Sequence, residues 1–196
     1  MRSFSNPVLA IRAVIGAAAV LVVSASCAHA AVISYSAILS GPNESPPNAS
    51  PGTGNATADY DNVLHTLKVH VDFTGLTGVT TASHIHAPTA VAGTGTASVA
   101  TTTPTFAGFP LGVTSGTYDN TLDLTLASSY NPSYVTANGG TTAGAEAALA
   151  AALAVDKAYL NVHSQTFPGG EIRGFLTPTP TPAQVSSWGF IKGFYH

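Results

Sequence analysis

Cysteine is almost absent from this 196-residue chain, and the one present, Cys27, lies in an N-terminal segment that reads as a secretory signal. Arg2 and Arg12 flank the start of that segment, an apolar run follows from Ala13 to Val23, and Ala28-His29-Ala30 is a small-x-small cleavage pattern. The run falls short of the ~20 apolar residues that cross a bilayer, so no transmembrane anchor is expected after signal cleavage. Lipid attachment at Cys27 is the rival reading, but Ser24-Ala25-Ser26 lacks the large aliphatic residue such a site wants. With cleavage after Ala30 the exported protein has neither disulfide nor thiolate, which excludes cysteine nucleophiles and sulfur-ligated metals. Any metal site must then be built from nitrogen and oxygen, and the expected location is secreted, periplasmic or extracellular.

Charge is scarce too, at 8% of the residues. Beyond Ala30 only Lys68, Lys157, Arg173 and Lys192 stand against nine Asp and Glu, a net charge of −5 with neutral histidines. Nucleic acid is therefore not an expected partner, because neutralising phosphates takes a basic patch. The usual enzyme signatures are missing as well: no exported cysteine, no Gly-x-Ser-x-Gly elbow, and no phosphate-cradling glycine loop before a helix. Binding rather than turnover is the expectation.

What the chain does have is β patterning. "AVISYSAIL" (31–39) alternates apolar and small polar residues, as a strand with one buried face does, and stops at the prolines of "GPNESPP". "GNATADYD" and "VLHTLKVHVDF" read as a hairpin turning at Asp61-Asn62, with Leu67, Val69, Val71 and Phe73 on one face and Lys68, His70 and Asp72 on the other. A strand is expected from Thr117 to Leu126, with Leu122, Leu124 and Leu126 facing one way. "AYLNVHSQTF" and "GEIRGFL" form two more around the Pro168-Gly169-Gly170 turn.

One helix is expected between them, from Ala143 to about Lys157, alanine-rich with Leu149 and Leu153 at i, i+4. The expected fold class is all-β, a mostly antiparallel sandwich or barrel with one short α-helix in a connection. The expected organisation is a signal peptide at 1–30, a β-domain at 31–176, and at 177–196 a Thr/Pro linker of polyproline type with a short aromatic tail.

The order of "LSGPNESPP", "TGLTGVTTASHIHAP" and "AYLNVHSQTFPGGEIRGFL" resembles the chordin-type (CHRD) domain over roughly residues 33–176. Asn161, His163, Phe167, Pro168, Gly170, Glu171, Arg173 and Gly174 carry the most specific part of that likeness. The resemblance implies an extracellular β-domain, immunoglobulin-like or superoxide-dismutase-like in architecture, of a kind found in growth-factor-binding regulators and in secreted bacterial proteins. "GLTGVTTASHIHAPTAVAGTG" is in addition similar to the strand and loop of copper/zinc superoxide dismutases that hold copper through a His-x-His pair. The zinc loop, the cysteine pair and a charged guide for superoxide are all lacking here, so this likeness implies copper and not dismutation.

The histidines carry the chemistry. In a strand, residues i and i+2 share a face about 6.6 Å apart, so His84 and His86 can converge on one ion while Ile85 enters the core. In "LNVHS", Leu160 and Val162 turn inward while Asn161 and His163 turn outward. If the two strands are neighbours, His84, His86 and His163 make a three-imidazole site for copper, zinc or nickel, with copper leading by the Irving–Williams order. His65 and His70 adjoin a turn and a solvated polar face, and His196 is terminal; none is placed in the site. Glu171 and Arg173 are read as structural, bridging from beside Gly170 and Gly174 to Asn43 and Glu44. The alternative reading is an extracellular interaction or matrix module whose histidines are structural, with another protein or a polysaccharide as partner.

Overall fold

The computed structural model describes residues 32–180. The signal segment, the end of the Thr/Pro run and the whole aromatic tail lie outside these described residues.

The strands are β1 (Val32–Ser40), β2 (Thr53–Asp61), β3 (Thr66–Thr74), β4 (Thr80–His86), β5 (Gly116–Asp123), β6 (Tyr159–Ser164), β7 (Ile172–Phe175) and β8 (Thr177–Pro178). They form one curled, half-barrel sheet in the order β4-β6-β7-β1-β2-β3-β5, with β8 on β1. All its pairings are antiparallel. This is the all-β class that the period-2 patterning implies.

Alternation sets the inner face. Tyr35, Ala37 and Leu39 of β1, Leu67, Val69, Val71 and Phe73 of β3, Ile85 of β4, and Leu160 and Val162 of β6 are all buried in one core. The segment between β4 and β5 spans the open side of the half-barrel. Its Phe106 N–H donates to Ser83 O on β4, and Phe106 and Phe109 pack their rings against Tyr118 of β5. Burying large aromatics contributes about 1.5–3 kcal/mol each, so this strap adds to the core as well as closing it.

Several boundaries differ from the sequence expectation, each for a local reason. The β2–β3 turn occupies residues 62–65, because Asp61 Oδ1 accepts from both the Val63 and Leu64 N–H groups and so winds the chain before β3 begins. β5 ends at Asp123, whose carboxylate takes the Thr125 N–H. Leu122 and Leu124 remain buried, but Leu126 is 51% exposed and does not join their face.

The expected helix spans Thr142–Leu153, is capped by the Thr141 hydroxyl, and stops short of Lys157. It is the second of two: α1 (Pro132–Ala137) precedes it, and this one is α2. Asn131 caps α1 and Pro132 opens it, a Pro-initiated start that reads as a turn in so short a segment. The Thr/Pro run also begins as structure rather than as a spacer. Thr177 and Pro178 pair with Ser36 and Tyr35, and the Thr179 N–H donates to Ser34 O at 2.8 Å. Proline at every second position leaves the intervening threonine N–H groups free to join an edge.

Candidate metal site

The site lies on the outer face of the β4–β6–β7 half of the sheet. Register places His84 opposite Asn161 and Asn161 opposite Arg173. One row along, His86 faces Tyr159 and Tyr159 faces Phe175; one row the other way, His163 faces Ala82. Because Ile85, Leu160 and Val162 are committed to the core, period-2 geometry sends all these side chains to the opposite side.

There the three imidazoles meet. Ring centroids are 4.7 Å apart for His84–His86 and for His84–His163, and 6.2 Å for His86–His163. One ring nitrogen from each lies within 4.8 Å of the others. His84 is 7% exposed, and burial pushes its pKa down to about 3, with the neighbouring His86 and His163 adding to the effect. Burial likewise lowers His86 to about 4 and brings His163 below its ordinary value. All three are neutral at physiological pH, the form that ligates metals.

The tautomers of two rings follow from their partners. His86 Nδ1 donates to Ala97 O at 2.8 Å, and His163 Nδ1 donates to Pro168 O at 2.9 Å. A carbonyl only accepts, so Nδ1 carries the proton in both and each Nε2 presents a lone pair. This is the outer-shell pattern that orients histidine ligands.

Among the described residues those nitrogens meet no hydrogen-bond partner. In all, seven buried side-chain nitrogen or oxygen atoms of the described residues have none. Five belong to this face: His84 Nδ1, His86 Nε2, His163 Nε2, Asn161 Oδ1 and Glu44 Oε1. An unmet buried polar group costs about 1–3 kcal/mol, and a cation that collects the lone pairs removes that cost.

The remaining motif residues frame the site. Gly170, at φ +131°, packs so closely that a Cβ there would stand 2.5 Å from Glu44 Oε1 and 2.9 Å from Asn161 Nδ2. Arg173 donates from Nε to Asn43 O at 2.5 Å and from Nη1 to Gly95 O at 3.0 Å, and its Nε lies 3.7 Å from Glu44 Oε2. Burial raises Glu44 to about 7 against the pull of Arg173. Arg173 thus reaches the Asn43–Glu44 loop, but Glu171 does not share that bridge. Its buried carboxylate accepts from Ser50 Oγ at 2.6 Å and from the Thr77 and Gly78 N–H groups. Burial would raise Glu171, but hydrogen bonds from Ser164, Ser50, Thr77 and Gly78 outweigh it and leave the carboxyl below the usual range. The two side chains part because Glu171 precedes β7, beside the Gly170 turn, and only Arg173 lies within the ladder.

Tyr159 is a neighbour that the motif reading passed over. Its ring lies 4.7 Å from that of His86, and the Arg173 guanidinium sits 4.7 Å from the Tyr159 centroid. The i, i+2, i+4 series Tyr159, Asn161, His163 was the available signal. Two other histidines lie apart from the cluster. His65 Nδ1 pairs with Glu146 at 3.0 Å, and His70 sits between Asp119 and Asp72, each at 2.9 Å.

A half-barrel sheet whose outer face gathers three neutral imidazoles defines an antiparallel β-domain with a three-histidine cluster that could hold a metal ion. The chain belongs to the CHRD domain family, which it matches over residues 35–176. No curated protein and no solved structure matches it. Among the described residues no helix is long and apolar enough to cross a membrane.

Proposed function

We propose that this CHRD-domain protein is secreted and holds one copper ion through His84, His86 and His163, serving in copper binding, storage or delivery rather than turnover. The observation that carries the reading is the meeting of three buried, unpartnered ring nitrogens from strands about eighty residues apart in the chain. A sheet edge that merely used its histidines for hydrogen bonding would satisfy both nitrogens of each ring. Here one nitrogen in each of His86 and His163 is anchored on a carbonyl and the other is left bare. Imidazole nitrogen suits copper, and no sulfur ligand competes. When bound, the ion supplies a Lewis-acidic centre. The chain's own residues orient the rings through Ala97 O and Pro168 O, and Arg173 fastens the neighbouring loops at Asn43 and Gly95.

The test is metal analysis of untagged, exported protein beside His84→Ala and His163→Ala. Near-stoichiometric copper in the wild type, lost in both variants, is the expected result. Equal trace metal in all three would leave the histidines structural and favour the interaction-module reading.

A further inference from the structure

We propose that the ion this site selects is monovalent: copper(I), with silver(I) as a redox-inert equivalent. The inference rests on the reading of His84, His86 and His163 as a metal site and adds the charge of the ion to it.

The donors available are all neutral. Three imidazole nitrogens and the unpartnered Asn161 Oδ1 face the cluster, and none brings a negative charge. Among the described residues Glu44 is the carboxylate that borders this face, with Oε1 unpartnered, and the others are engaged elsewhere. Glu44 lies against Arg173, 3.7 Å from Nε, so that pair adds no net anion. Glu171 is enclosed by Ser50, Thr77 and Gly78, while Glu146 serves Tyr60 and His65. Asp72 and Asp119 sit with His70 on β3 and β5, at the far edge of the sheet.

Behind the ligands stands the arginine end of that neutral pair. Arg173 lies over the Tyr159 ring, and that ring stacks on His86. With no net charge from that pair, desolvation is the discriminator, because the cost of taking an ion out of water rises with the square of its charge. Water that could complete a dication's shell or ionise to balance its charge meets ligand atoms that are shut from solvent.

Coordination number agrees with charge. Zinc closes a structural site with four protein ligands, or adds a water to three histidines, and calcium and magnesium sites take six or more oxygens, whereas copper(I) is satisfied by two or three imidazoles without water. Three rings are what this face offers within one ion's reach.

The experiment is a pair of titrations on untagged, apo full-length protein. Copper(I) is supplied anaerobically from a colorimetric copper(I) chelator, with silver(I) as competitor; zinc(II) and copper(II) are titrated aerobically by calorimetry. The expected result is copper(I) binding at 1:1, displaced by silver(I), and tighter than either dication by at least about a hundredfold, each tenfold step being 1.4 kcal/mol. Dications bound as tightly as copper(I), and lost in His84→Ala, would overturn the monovalent assignment and leave the three-imidazole site standing. No ion of either charge retained above His84→Ala would overturn both.

Asn161→Asp provides a second arm by adding an anion beside the rings. It should raise zinc(II) affinity at least about tenfold and narrow the preference for copper(I). An unchanged preference in a folded Asn161→Asp protein would mean that charge is not the selector and would also defeat the proposal. If that variant does not fold, the wild-type titrations decide.

Discussion

The Tyr159 ring lies parallel to that of His86, 4.7 Å away with 5° between their planes. Tyr159 is opposite His86 in the β4–β6 register, so the stack follows directly from strand pairing. It pins one face of a ring in the proposed site, whose Nδ1 is already tied to Ala97 O. Replacing Tyr159 by Leu keeps apolar bulk but removes the flat support. Loss of such outer-shell contacts weakens metal binding by about 10- to 100-fold. Tyr159→Leu is therefore expected to raise the copper Kd by at least about tenfold at unchanged 1:1 stoichiometry, measured by chelator competition. A Kd equal to wild type would show that His86 needs no stacking partner.

Bound copper should also be visible as stability. A ligand that binds only the folded state adds about 2.7 kcal/mol when present at 100 times its Kd. For a domain of this size each kcal/mol moves Tm by about 2–4 °C, so copper should raise Tm by about 5–10 °C. The rise should vanish in His84→Ala and His163→Ala. A shift that survives both substitutions would place the ion elsewhere on the protein.

Much of this arrangement is legible in the sequence because strand alternation is a local rule. Once Ile85 is apolar, His84 and His86 must share the other face, and the same logic turns Asn161 and His163 together. What alternation does not carry is partnership. That β6 lies between β4 and β7 depends on pairings across some eighty residues and on the loop that brings Ala97 to His86. The misread elements fail for comparable reasons. Asp61 and Asp123 end strands through side-chain hydrogen bonds, and Pro132 and Pro178 punctuate the sequence at places where the chain is in fact helical or paired. Glu171 and Arg173 look like one i, i+2 pair until the Gly170 turn separates their surroundings.

The pH dependence has a definite sign. His84 and His86 have folded pKa values of about 3 and about 4, below the ordinary 6.5. Above about pH 6.5 both are neutral whether folded or unfolded, and their contribution is fully present. As pH falls from there toward 4, the unfolded chain takes up protons that the folded one refuses, and stability drops. Glu44, raised to about 7, and His70, raised by its hydrogen bonds to Asp119 and Asp72, run the other way, gaining stability as pH falls. The contrast between proteins isolates the site. The metal-free wild type should lose more of its urea midpoint between pH 7.5 and 5 than a His84→Leu, His86→Leu double variant. Parallel profiles would mean that the rings are open to protons in the native state.

Gly170 should tolerate no side chain. Its φ of +131° alone costs a non-glycine residue about 1–3 kcal/mol. A methyl group would in addition meet Glu44 Oε1 at 2.5 Å and Asn161 Nδ2 at 2.9 Å. Gly170→Ala is expected to lower stability by more than the backbone penalty and, by displacing Asn161, to weaken copper binding. Urea unfolding and chelator competition read the two effects, and a stable variant with native affinity would contradict both.

Arg173 and Glu44 are each about 5% exposed, so the ion pair at 3.7 Å sits in a poorly solvated setting. In such pairs the loss of one partner is expensive chiefly because the other is left as a buried charge, at about 3–5 kcal/mol, whereas replacing both is much milder. Arg173 also fastens the Asn43 and Gly95 carbonyls, which Met cannot do. At pH 8.5, where Glu44 is ionised, Arg173→Met should be strongly destabilised, and adding Glu44→Gln should restore a substantial part of the loss. At pH 5.5 Glu44 already holds its proton, so the same second substitution should restore little. A double-mutant cycle at the two pH values measures this coupling directly. Equal recovery at both would show that the cost of losing Arg173 lies in its hydrogen bonds to the two loops and not in the charge it balances.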